Sequence, residues 1–435
     1  MVSDPWILKK VLEFDRKTNP ATTDEPGIIT IGNGLYLDSE GKLGVTPFYG
    51  FQIDYSVSDP AGCITYTGGA AGMSQAERKA WAYGKVTPTV VKDGRVVYQL
   101  KRDNLALQAD GQTASKLDGT DGDVCASISP LWFRVTKAGK VVSVNISEYP
   151  QPGYVSAHTF AGQVREYLHL GMFEATGDTC NSVYSTTLTP AASRTLKTFR
   201  TQAQTKNTGL AEAYYSPMTY LSWTLYQILY VFAYGTLDSQ TAVGMGCVSN
   251  SWNDGVFNGV PVGTAELLTA NGEYGDTTAG NKHVMALYVV NPWGNVYKFC
   301  DGCMWKGGQF ACLTDQSDLF DIEEGWANKP GTWHTFTTGI TGASGNFITE
   351  HSGDALCPFV PSALAGTGHS SATFACDKAW YGSGEHVCFV GGHWTHAADA
   401  GAFCFVAYDA LAASNALLGG RLQALSPPKS ATASA

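Results

Sequence analysis

The apolar and polar positions of this chain change character three times. FYGFQIDYSV, CITYTG, TPTVVKDGRVVYQL and LWFRVTKAGKVVSVNIS, all within residues 46–150, read as strands. Lys92-Asp93-Gly94 and Lys137-Ala138-Gly139-Lys140 fall where hairpin turns belong. Ahead of this region, Asp4 to Arg16 places Trp6, Ile7, Val11 and Phe14 near helical spacing. GIITIGNG and LYLDSEGKLGV then read as short strands and a turn. Residues 1–45 are therefore expected to be a connector or an oligomerisation segment. Behind it, YVSAHTFAGQVREYLHLGMFEA opens a third region as helix or strand. SPMTYLSWTLYQILYVFAY, Ser216 to Tyr234, is the strongest helix: Ser216 is a candidate cap, Pro217 suits a first turn and Gly235 can end it. It is apolar on nearly every side, which predicts burial. Loops and short strands follow, and SPPKSATASA at 426–435 reads as a disordered tail. The pattern predicts an α+β protein with a β-rich domain at 46–150 and a larger domain at 151–425.

The stretch VGGHWTHAADAGAFCFVAYDALAASNALLGGRL, Val390 to Leu422, follows neither period. Gly391, Gly392 and Trp394 open it, and Gly419, Gly420 and Arg421 close it. Small residues lie between, with isolated His, Thr, Asp, Cys, Val and Tyr among them. Fixed landmarks around variable chemistry are what a recognition surface needs.

Composition narrows the function. The 435 residues are 15% charged, below the usual quarter, and carry 49 Gly and 51 aromatic residues (11 Trp, 21 Tyr, 19 Phe). Such a chain favours short strands, many turns and broad packing between elements or subunits. A net charge of −10 argues against nucleic acid and against anionic membrane surfaces. The longest apolar window, Tyr220 to Tyr234, is too short to span a bilayer and holds Ser222, Thr224 and Gln227. The start MVSDPWILKKVLEFDRK has no apolar run behind a basic stretch, so synthesis in a cytosol without a secretion signal is expected.

Several motifs have a sharp and a plain reading. The 11 irregularly spaced cysteines read as buried free thiols. Cys300 and Cys303, with Cys312, leave zinc (His283 the nearest fourth ligand) or a disulfide as alternatives. Asp118, Asp121 and Asp123 resemble the start of a calcium loop but lack the closing glutamate. Trp252-Asn253-Asp254 matches a tripeptide of calcium-dependent lectins, against a plain Asn-Asp-Gly turn. His393, His396 and Asp399 have metal-compatible spacing, against contact with a partner. Asp318, Asp321, Glu323 and Glu324 read as a solvated acidic loop. GTGHSSATF, Gly366 to Phe374, lacks the lysine of a phosphate loop.

Three blocks, in order, resemble the C-type-lectin fold in its formylglycine-generating-enzyme-like branch: the apolar helix followed by GTLDSQTAVG, then NPWGNVYKFCDG (Asn291 to Gly302), then the terminal VGGHW…GGRL. Within that branch the last block most resembles the variable proteins of diversity-generating retroelements. Adenine randomisation there excludes Lys, Glu, Gln, Met and Trp at diversified positions, and His393 to Leu418 contains none of them but Trp394. YGFQIDYSVSDP and ITYTGGAAGM resemble phage tail-tip or fibre proteins.

The resemblance implies a hypervariable ligand-binding surface formed by His393, Thr395, His396, Asp399, Cys404, Val406, Tyr408 and Asp409. Trp394, Phe403, Asn415, Gly420 and Arg421 would be its frame. It further implies adhesion to a host-cell protein or glycan at a virion tail tip, beside other tail proteins, as a homotrimer, with no cofactor. A structural tail or baseplate role is the alternative. An oxidase of the formylglycine-generating type would need a cysteine pair where this chain has His396 and Gly401.

Overall fold

Fifteen consecutive buried residues, Tyr220–Tyr234, form the longest helix among the described residues. In the computed structural model, residues 35–37, 43–45, 48–253 and 255–428 are described. The helix expected at Asp4–Arg16, most of the connector and the end of the tail lie outside the described residues. Gly235 ends the long helix as expected, in the left-handed region (φ 67°) with its N–H donating to the Val231 carbonyl. The start differs. Thr219 is the cap, its hydroxyl accepting from the Ser222 N–H at 3.2 Å. Ser216 and Pro217 instead belong to an edge strand, Tyr215–Pro217, paired with Leu422–Leu425. Proline has no N–H to donate, and an edge strand tolerates that as well as a first helical turn does.

One sheet has seven strands, in the order 215–217, 422–425, 168–171, 123–128, 86–92, 95–101, 104–108. Four of them lie before residue 150 and three after it. The expected boundary at 150 therefore falls inside one hydrogen-bonded layer, because Leu168–Gly171 pairs along Asp123–Ile128. The turn between 86–92 and 95–101 is the predicted tight one, with Asp93 and Gly94 both at positive φ. A smaller sheet joins 49–54 and 64–68 to 132–138 and 141–147.

A second large sheet carries the C-terminal half. Its path runs 334–337, 309–312, 297–306, 385–390, 405–407, 378–381, 346–351, 361–365, with 418–419 added in parallel beside 297–298. The long helix packs against 297–306 on one side and the helix Gln75–Gly84 on another. The main apolar core runs from Phe51 through this helix to Leu425, and a second small cluster joins Cys247, Val296, Trp394 and Ala416. The architecture is mixed α+β and mostly strand. Among the described residues no helix is long and apolar enough to cross a membrane.

Candidate functional site

The landmarks of the terminal block are immobilised by their surroundings. Gly391 and Gly392 have φ of 85° and 75°, and a Cβ on Gly391 would lie 2.6 Å from the Pro292 carbonyl oxygen. Trp394 is fully buried with Phe257 edge-on at 5.2 Å. Arg421 is fully buried and donates to the carbonyls of Gly171, Met172, Val290 and Asn291. It thus ties the last strand to two distant segments. Gly420 lies against the Phe199 ring, and Phe403 is buried. Asn415 is exposed, yet its Oδ1 accepts from the Leu417 N–H and its carbonyl from the Ser193 N–H.

The eight expected ligand-facing residues divide. Tyr408 is the most exposed, at 62%, its ring parallel to His386. Asp409, Thr395, His396 and Asp399 are half-buried. Asp399 pairs with Lys378 at 3.0 Å. His396 accepts or donates a hydrogen bond with the Tyr297 hydroxyl at 2.9 Å and lies 4.8 Å from the Trp380 ring.

Three expectations require correction. Cys404, Val406 and His393 are buried and do not face solvent. Val406 sits opposite Phe389 on one side and Trp380 on the other, so sheet neighbours cover it. Cys404 leads into the same strand, and burial pushes its thiol well up. His393 is packed 4.0 Å, ring to ring, from His396 and 4.8 Å from Tyr297. Burial holds both imidazoles neutral, with His396 pulled down to about 4.

The exposed part of the block is a run the sequence reading left unassigned. Ala410, Ala412 and Ser414 are exposed, with Leu411 and Ala413 half-buried between them. With Tyr408 they make a mostly apolar, small-residue surface. Trp380, Lys378 and His386 also border the block, and the sequence reading missed them. Each sits on a short strand, Lys378–Tyr381 or Glu385–Val390, whose apolar and polar residues do not alternate.

The remaining motifs resolve into ordinary contacts. Asp118 accepts from the Thr120 N–H, Asp121 from the Tyr98 hydroxyl, and Asp123 pairs with Lys206. They do not converge on one point. Cys300, Cys303 and Cys312 are free, buried thiols. His283 binds the Pro261 carbonyl. Among the described residues no group of three or more His, Cys, Asp or Glu is placed to hold a metal ion. Trp252 is 54% exposed, and Asp254 lies outside the described residues. Asp321 of the acidic run pairs with Lys197.

Two hollows, of about 220 and 580 Å³, are lined respectively by residues including Asp123 and Lys206, and Tyr83 and Arg102. Neither of these two contains a residue of the terminal block. No protein-family model and no curated protein matches this chain.

Proposed function

We propose that this chain is a receptor-binding protein whose terminal block displays a recognition surface on a C-type-lectin-like fold. The observation that supports this most is the contrast within the block. Gly391, Gly392, Trp394 and Arg421 are held on all sides, while residues 408–415 between the last two landmarks are half-buried or exposed. Leu411 and Ala413 pack against the core, but the exposed side chains between and before them can change without disturbing it, and the backbone beneath them cannot move far. That is the requirement for affinity built on a few exchangeable contacts. Tyr408 is the natural anchor, being large, exposed and polar at its tip. In this reading Tyr408, Asp409, Thr395, His396 and Asp399 contact the ligand.

The order of the three sequence blocks supports the C-type-lectin-like assignment, and the strand-rich α+β architecture is compatible with it. The partner is then a cell-surface protein or glycan, met at a phage or prophage tail tip among other tail proteins. A homotrimer would multiply weak single contacts. The reading calls for no catalytic residue.

The test is flow cytometry of fluorescent full-length protein on bacteria from the source community. The wild type is expected to label a subset of cells. Tyr408→Ala with Asp409→Ala should abolish labelling while leaving the unfolding midpoint unchanged. Retained labelling by that variant, or loss of assembly into tails with labelling intact, would instead assign the block to a structural contact.

A further inference from the structure

Beneath the Gly391–Trp394 turn lies a polar cluster that recognition does not use. Glu174 and Lys298 are completely buried, as are Asn291 and Asn295. Lys298 stands on the strand Tyr297–Lys306, and both asparagines precede it in left-handed backbone, at φ of 47° and 63°. The two oxygens of the Glu174 carboxylate have different company. Oε2 accepts from Asn295 Nδ2 at 2.5 Å and from Asn291 Nδ2 at 3.0 Å. Oε1 has no hydrogen-bond partner and faces the Lys298 nitrogen at 3.4 Å.

A pair built only for stability would close to charge-assisted hydrogen-bond distance, about 2.7–2.9 Å. Here the Lys298 nitrogen donates instead to the Gly294 carbonyl at 2.5 Å, the peptide carbonyl joined to the Asn295 nitrogen. The Asn295 Oδ1 meanwhile accepts from the Val260 N–H at 2.8 Å. One dry carboxylate therefore lies between an amine and a carboxamide nitrogen, with a backbone donor on the carboxamide oxygen.

We propose that Lys298 and Asn295 become joined by an intramolecular isopeptide bond, with Glu174 carrying the protons. Glu174 Oε1 takes a proton from the Lys298 ammonium. The freed lone pair attacks Asn295 Cγ, and the Val260 N–H stabilises the charge that develops on Oδ1. Proton transfer through Glu174 to Nδ2 lets the Cγ–Nδ2 bond break. One C–N bond forms, one C–N bond breaks, and ammonia leaves. Glu174 gives its first proton to Nδ2 and keeps the second, taken from the attacking nitrogen, so it ends protonated, and no oxidant or cofactor is required. Burial favours the first step, since it draws the Lys298 ammonium down to about 8. The product would brace the recognition frame. The Gly294 N–H donates to the Gly391 carbonyl, and the Trp394 N–H to the Asn295 carbonyl.

The test is mass spectrometry of the full-length chain. The intact mass is expected to fall short of the sequence mass by one ammonia. Trypsin should fail to cut after Lys298, yielding one peptide spanning 283–306 that carries the deficit, with fragment ions linking Asn295 to Lys298. Glu174→Gln, similar in shape, should restore the full mass and the cut, with near-ultraviolet circular dichroism reporting its fold. A wild-type chain at full mass with normal cleavage at Lys298 overturns the proposal. So does an ammonia deficit with Lys298 still cleaved, which would mark a cyclised asparagine, or a link mapped to Asn291. A Glu174→Gln chain that still forms the link would remove the role given to the carboxylate.

Discussion

Residues 400–407 and 408–415 adjoin in the chain and are both rich in small residues, yet they end in opposite environments. AGAFCFVA is buried at every position, and YDALAASN at none. The difference is packing. Phe405–Ala407 lies between Glu385–Val390 and Lys378–Tyr381, so neighbours cover both its edges, and Ala402, Phe403 and Cys404, which precede the strand, are packed into the apolar core. The following run has left the sheet. Composition did not separate the two stretches, and packing into the core did. For the proposed recognition role, the side chains free to vary are those that the core does not cover.

The largest effect that would test this division is removal of the frame. Arg421→Ala leaves four buried carbonyls without their donor, so a loss of more than about 3 kcal/mol is expected in urea unfolding. Trp394→Ala should cost about 3–5 kcal/mol through the cavity it opens. A Trp394→Ala protein as stable as wild type would mean that the block does not depend on its frame.

Acid should act next, and mainly on the buried side of the comparison. Burial pulls His158 and His396 down to about 4, His169 and His351 to about 3, and His393 lower still. The unfolded chain takes up protons on these groups near pH 6.5, and the folded chain does so only at much lower pH. Their contribution is thus complete above pH 6.5 and is lost as pH falls through the interval to about 3–4. His334, raised by Asp354, and Asp123 and Asp377, raised by burial, pull the other way. Burial also lowers His283 and raises Asp409; the six lowered imidazoles outweigh the four opposing groups, so the urea midpoint should decline from pH 7 to pH 5. A flat profile would show that the imidazoles are not dry. His351 and His393 differ in location, and comparing His351→Phe with His393→Phe would show which region opens first.

Smaller effects belong to the exposed stretch. Tyr408→Ala and Asp409→Ala should each change stability by no more than about 0.5 kcal/mol. Val406→Ala, only two residues earlier, should cost about 1–3 kcal/mol. If Tyr408→Ala destabilises as much as Val406→Ala, the line drawn between the two stretches is misplaced.

Much of this was legible in advance. The hairpin at Asp93-Gly94 followed from turn chemistry, and the burial of Tyr220–Tyr234 from its lack of a polar face. The landmarks Gly391, Gly392, Trp394 and Arg421 were picked out by residue type, because only glycine accepts those φ values readily and large side chains anchor turns. The start of the long helix was not legible. Ser216 and Thr219 are both competent caps, and pairing of Tyr215–Pro217 with Leu422–Leu425, more than 200 residues away in the chain, selected between them.

The sequence alone thus determined local conformation: where the chain must turn, where a helix ends, which segments are too apolar for water. These depend on the φ preference and polarity of a few neighbouring residues. Only the tertiary structure decided that strands on both sides of residue 150 share a sheet, and that Cys404, Val406 and His393 are covered while Tyr408 is not. It also brought Glu174 to Lys298 across more than a hundred residues. Burial and pairing of this kind are set by what lies opposite in space, and the spacing of residues along the chain carries no record of it.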